Sequence, residues 1–198
     1  MKSLAAFALI AALCAPAGAQ FEQPDGPRDL PDFALSAATS KSLRTLSKKD
    51  LLGKVWVADF IFTRCQGQCP LLTQRMRGLQ KRLPKEILLV SFTIDPEYDR
   101  PKVLRAYAKA NGADPDRWLF AAGKDQASMI PLLKDGFGTA YRKDDSSTCG
   151  FSTVHSSKFA LVGRDGRVVL TYSGDETDAV DRLERDAVGL LAGRLPPQ

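Results

Sequence analysis

Apolar and polar positions alternate along this chain in a way that predicts a strand–helix–strand core. The run KVWVADFIF (54–62) is apolar almost throughout and rich in β-branched and aromatic residues, which predicts a strand buried on both faces. Beyond it, Leu72, Met76, Leu79 and Leu83 recur at helical spacing, with Gln74, Arg75, Arg77 and Lys81 on the other face. Pro84 ends that helix. EILLVSFTI (86–94) predicts a second buried strand, stopped by Asp95-Pro96. RPKVLRAYAKANG predicts a helix with Asp99 as its N-cap and Gly112 as its terminator.

Weaker signals fill in both ends. DFALSAATSKSLRTL suits a hairpin, and SKKDLLGK one capped helical turn with Ser47 as N-cap and Asp50 three residues on. RWLFAAG (117–123) reads as a short strand, and DQASMIPLLKDGFG as a helix kinked at Pro131. The stretch 141–157 is polar and irregular. KFALVGRDGRVVLTYSG then predicts a hairpin turning at Asp165-Gly166, and DETDAVDRLERDAVGLLAGRL a closing amphipathic helix. Alternating strands and helices followed by a hairpin define an α/β sandwich.

The first residues do not belong to that pattern. MKSLAAFALIAALCAPAGAQ has one charge, Lys2, then a short apolar run, then Ala17-Gly18-Ala19. This predicts a signal peptide over 1–19, cleaved after Ala19 rather than processed as a lipoprotein at Cys14, and hence an exported protein. The run falls short of the roughly 20 apolar residues a spanning helix needs. Residues 20–31 read as an extended leader and 32–195 as one domain. Cleavage lowers the net charge from +5 to +4, which suits solubility or approach to acidic surfaces. No basic cluster is interleaved with aromatics, so nucleic acid is not an expected partner.

Cysteine usage changes the picture most. Removing Cys14 leaves Cys65, Cys69 and Cys149, an odd number for an oxidising compartment, so at least one thiol is left over for exchange. Cys65 and Cys69 sit in FTRCQGQCP, at the junction of the first buried strand and the following helix, which is the thioredoxin arrangement. Pro70 fits the first helical turn. Unpaired N–H groups and the helix dipole at that point favour thiolates, the form that attacks disulfides and binds metals. The three intervening residues let the pair form a disulfide, and also let both sulfurs face a soft ion such as Cu(I). A structural disulfide is the bland alternative. The single histidine, His155, lies in the irregular segment ahead of a core strand, where such a fold returns over its cysteine loop; it is either a third ligand or an incidental surface residue. Met76 and Met129 are thioethers, but Met76 lies on the apolar stripe and reads as core. Arg64 beside Cys65 either favours the thiolate or is a solvated charge, and Asp95 reads as a turn former bordering the site.

The segments LPDFAL, GKVWVADFIFTRCQGQCPLLTQRM, VSFTIDPEYDRPKVLRAYAKANGADPDRWLF and VHSSKFALVGRDGRV together resemble the Sco/SenC family of copper-binding, thioredoxin-like proteins, over roughly residues 30 to 192. The resemblance implies a thioredoxin-like sandwich: a central mixed sheet flanked by helices, an N-terminal hairpin extension and an inserted loop before the last hairpin. It implies Cys65, Cys69 and His155 as ligands of a copper ion, Cu(I) or Cu(II). It further implies a metallochaperone for the binuclear copper centre of cytochrome c oxidase subunit II or another copper acceptor. The alternative is a thiol-disulfide oxidoreductase with Cys65 and Cys69 as its catalytic pair, served by a thioredoxin-like reductant. The mature chain is expected to be a periplasmic or otherwise exported monomer. Val154 departs from the acidic residue common before the histidine, so Asp95, Asp144, Asp145 or a backbone carbonyl would have to orient the ring. Cys149 is the second departure: a resolving thiol, an added ligand or a small apolar bystander.

Overall fold

In the computed structural model, residues 27–65, 67–139 and 157–196 are described. Their strands are β1 (Arg28–Asp29), β2 (Ala34–Ala38), β3 (Leu43–Ser47), β4 (Trp56–Ile61), β5 (Leu88–Thr93), β6 (Trp118–Ala122), β7 (Lys158–Val162) and β8 (Arg167–Ser173). These form one eight-stranded mixed sheet in the order β1-β8-β7-β4-β5-β6-β2-β3. The helices are α1 (Lys48–Leu51), α2 (Cys69–Arg82), α3 (Pro101–Ala110), α4 (Gln126–Ile130) and α5 (Thr177–Leu191).

β4, β5 and β6 are the parallel centre, and the other pairings are antiparallel. Every residue of β4 is buried, as its unbroken apolar run requires. Its alternate side chains feed two cores. Val57 and Ile61 join Leu72, Met76 and Leu79 of α2, Leu104 of α3 and Leu183 of α5. Trp56, Ala58 and Phe60 face the other way, onto Leu51, Met129, Leu132, Leu133 and Phe137. Phe137 meets Phe60 edge-on with ring centroids 5.0 Å apart, giving the second core an aromatic centre below the cysteine loop.

Local expectations largely hold. The β2–β3 hairpin forms, and Ser47 N–H and Oγ both donate to Asp50 Oδ2 at 2.7 Å, closing α1. α2 ends at Arg82, and Leu83 turns extended (ψ 145°), as a residue before proline must. At Pro131 the α4 helix passes into a π-helical turn over Pro131–Gly136, the physical form of the expected kink, since proline cannot supply the next helical N–H. Within the leader, Arg28 and Asp29 pair with β8 at the sheet edge, and Leu30 is buried.

One capping expectation fails. Asp99 does not cap α3. Arg100 holds the N-cap position without a side-chain cap, and the Asp99 carboxylate turns inward, fully buried. Threonine donors inside the fold out-compete the helix end for that carboxylate.

Candidate functional site

The C-terminal ends of β4 and β5 lie side by side in parallel register, Ile61 opposite Thr93, and Ile94 N–H donates to Ile61 O at 2.8 Å. The loops that leave them, 62–68 and 94–100, therefore share one end of the sheet, where α/β folds commonly place their sites. Cys65 N–H donates to Phe62 O at 3.1 Å and folds the first loop back on itself. Cys69 is the first residue of α2, with Pro70 next, as the spacing predicts.

The two thiols differ. Both are free cysteines; Cys65 is half-buried, whereas Cys69 is 3% exposed and packed into the aromatic core. Cys69 N–H donates to Cys65 Sγ at 3.4 Å, so the orphan amide of the helix start is aimed at the outer sulfur. The expectation that the helix start would make both thiols acidic is corrected for Cys69. Burial pushes its thiol pKa far up, and the adjacent Cys65 adds to the effect. Desolvation of an inward-facing sulfur outweighs the favourable dipole.

The second loop grips the first. Arg64 Nε donates to Asp95 Oδ2 at 3.1 Å and Nη2 to the same oxygen at 2.5 Å, while its guanidinium lies 4.3 Å from the centroid of the Tyr98 ring. Asp95, read as a turn former bordering the site, is 2% exposed at its side chain and serves as the anchor of Arg64. Thr63 N–H donates to Asp99 Oδ2 at 3.0 Å and Thr63 Oγ1 to Asp99 Oδ1. Burial raises the Asp99 pKa against the lowering effect of these donors. Sequence reasoning missed this role of Asp99, since an Asp two residues before a helix-opening proline looks like a cap.

Asp59, in the middle of β4, was also missed. It is fully buried, and neither carboxylate oxygen has a hydrogen bond of ordinary geometry. Its strand neighbour Ser91 already accepts from Trp118 Nε1 at 2.9 Å, though its hydroxyl proton remains near enough to ease the charge slightly. Desolvation raises the Asp59 pKa to about 7. An acid inside an otherwise apolar strand was the signal available in the sequence.

Met76 and Met129 are both fully buried, and Met129 Sδ accepts Gly123 N–H at 3.1 Å, so both belong to the core. His155, Cys149, Asp144, Asp145 and Val154 lie outside the described residues. Among the described residues, no group of three or more His, Cys, Asp or Glu side chains could hold a metal ion, and no helix is long and apolar enough to cross a membrane.

A thiol pair at a strand-to-helix junction, on a mixed sheet covered by helices on both faces, defines a thioredoxin-like protein. Residues 24–186 match the SCO1/SenC family model, and the chain belongs to that family. It is 33% identical over 189 residues to the SCO1 protein homolog of Bacillus subtilis (strain 168), covering 94% of each chain. Its fold is similar to that of BsSco, a member of the Sco family of cytochrome c oxidase assembly proteins in which a disulfide switch was identified. That match has a TM-score of 0.71 and 31% identity, covering 83% of this chain and 94% of the other. It shares its fold with Bradyrhizobium japonicum ScoI with copper bound, at a TM-score of 0.63 and 20% identity, over 79% of this chain and 98% of that one.

Proposed function

We propose that this protein carries Cu(I) as cargo on Cys65, Cys69 and His155 and delivers it to a copper acceptor outside the cytoplasm, the binuclear centre of cytochrome c oxidase subunit II being the natural candidate. The observation that carries this reading is the free cysteine pair, with the outer sulfur half-buried and held 3.4 Å from the Cys69 N–H. Two sulfur donors suit a soft monovalent ion, and a partly exposed outer ligand suits stepwise exchange with an acceptor thiolate.

The path of the chain supports His155 as the third ligand. The described structure resumes at Ser157, whose carbonyl accepts from Gly174 N–H. A Cβ on Gly174 would lie 2.5 Å from Ser157 O and 2.7 Å from Leu72 Cδ2, so Ser157 runs beside Leu72, one helical turn from Cys69. His155 is two residues upstream, a span of at most about 7 Å of extended chain. Family membership points the same way, as does the place of its relative BsSco among the cytochrome c oxidase assembly proteins. Export, through the signal peptide read over 1–19, would bring the protein to such an acceptor.

Anaerobic titration of the reduced mature protein with Cu(I) against a competing chelator tests this. We expect one Cu(I) per chain, a large loss of affinity in His155→Ala and little change in Cys149→Ser. Equal affinity of wild type and His155→Ala would sink the three-ligand site.

The asymmetry of the pair favours one further reading, reduction of the acceptor's disulfide. Cys65 thiolate attacks one sulfur of that disulfide, forming a mixed disulfide and releasing the first acceptor thiolate. Cys69 then attacks Cys65 Sγ, giving the Cys65–Cys69 disulfide and releasing the second thiol. Both activities use the same reduced pair.

A further inference from the structure

We propose that Asp99 is a positioning residue for the cysteine pair: by gripping Thr63 and Thr93 it fixes the chain just ahead of Cys65, so that the Cys65 sulfur meets the Cys69 N–H. The inference rests on the functional reading above only in taking Cys65 and Cys69 as the working pair.

Asp99 is 0% exposed, although it lies in a loop between exposed neighbours. Its two oxygens take three donors: Thr63 N–H at 3.0 Å, Thr63 Oγ1, and Thr93 Oγ1 at 2.6 Å. Thr93 Oγ1 in turn accepts Asp95 N–H at 3.0 Å, and Asp99 N–H donates to Asp95 O at 2.8 Å. One carboxylate thus ties the ends of both parallel strands and closes the 95–99 loop on itself. Burying a carboxylate is costly; the adjacent Arg64 donates to Asp95, and Asp99 itself is held by neutral donors, Thr63 N–H at 3.0 Å and Thr93 Oγ1 at 2.6 Å. Charge-assisted bonds from these donors offset that cost. α3 begins two residues on without using Asp99 as a cap. What the bonds do fix is residue 63, two positions before Cys65. From there the Phe62–Cys65 turn aims the outer sulfur at the helix start.

An N–H aimed at sulfur stabilises the reduced form of the pair, whereas a disulfide sulfur is a poorer acceptor and gains little from it. Stabilising the reduced form makes a dithiol pair more oxidising. Releasing Thr63 therefore shifts the pair toward its disulfide.

The test is the equilibrium in which the Cys65–Cys69 disulfide and two glutathione thiols give the dithiol and oxidised glutathione. It is read without copper by alkylation and peptide-resolved mass spectrometry, which separates Cys149. Asp99→Asn and Thr63→Val are compared with wild type. Tyr172→Phe serves as control, since it breaks the 2.8 Å bond to Asp186 on α5. We expect a roughly tenfold shift toward disulfide in both site variants, about 30 mV for a two-electron couple. The control should lose thermal stability without moving the equilibrium. Site variants that melt earlier yet stay within twofold of wild type would overturn the proposal, as would a wild-type pair that does not interconvert in this buffer. Thr63→Val keeps the backbone donor and decides the matter if Asp99→Asn does not fold. Because no copper is present, failure of the copper-carrying reading leaves this result unaffected.

Discussion

The Cys69 N–H points at Cys65 Sγ from 3.4 Å, so the first amide of α2 serves the outer sulfur while the inner sulfur turns into the aromatic core. The pair is thereby divided into an accessible thiol and a shielded one. Iodoacetamide at pH 7.5 should label Cys65 at least tenfold faster than Cys69, because burial keeps Cys69 protonated and out of reach. Peptide-resolved mass spectrometry reads both rates in one sample. Comparable labelling rates would contradict this division.

Asp59 makes stability depend on pH in a stated direction. Its folded pKa of about 7 stands above the ordinary carboxylate value of 3.8, so between those two values the folded state holds a proton that the unfolded chain has lost. Stability therefore falls as pH rises from 3.8 through 7 and levels off above. Asp59→Asn removes that slope. At pH 8 the variant should be more stable than wild type by up to roughly 4 kcal/mol, and near pH 4 the difference should vanish. Urea unfolding at both pH values checks it; a gap independent of pH would refute the assignment.

The Arg64–Asp95 pair joins a half-exposed guanidinium to a carboxylate that is 2% exposed. Arg64→Ala strands that carboxylate in the interior, at a cost of about 1–3 kcal/mol. Adding Asp95→Asn should recover part of the loss, since the stranded charge is gone. A double-mutant cycle by urea denaturation gives the coupling, and strictly additive losses would mean that the two residues do not act as a pair.

Much of this architecture was legible from periodicity alone. The unbroken apolar runs at 54–62 and 86–94 became β4 and β5, and the Leu72-Met76-Leu79 stripe became the buried face of α2. These elements are set by burial on one or two faces, which leaves its period in the sequence. The inward turn of Asp99 was not legible, because its donors lie 36 and 6 residues away and a cap competes for the same carboxylate. Nor was the shielding of Cys69, which depends on where the second core lies rather than on the helix start. The position of Cys65 and Cys69 at a strand-to-helix junction was readable, whereas the chemical difference between them was not.

Gly174 controls how closely the returning chain approaches α2. An alanine Cβ there would sit 2.5 Å from Ser157 O and 2.7 Å from Leu72 Cδ2, both shorter than van der Waals contact, and one of the two is backbone that cannot simply rotate away. Gly174→Ala should therefore push Ser157 outward and cost about 1–3 kcal/mol of stability. Because His155 stands two residues before Ser157 in the chain, Cu(I) affinity should fall in parallel if that residue is a ligand. Gly189→Ala is the matched control: its Cβ meets only Arg194 O, at an ordinary 3.8 Å, within α5. That substitution should be neutral or stabilising by up to about 1 kcal/mol, since alanine favours helix. Thermal melts and chelator competition on both variants separate the two effects. If Gly174→Ala keeps full stability and full Cu(I) affinity, the close approach of Ser157 to α2 plays no part in building the site.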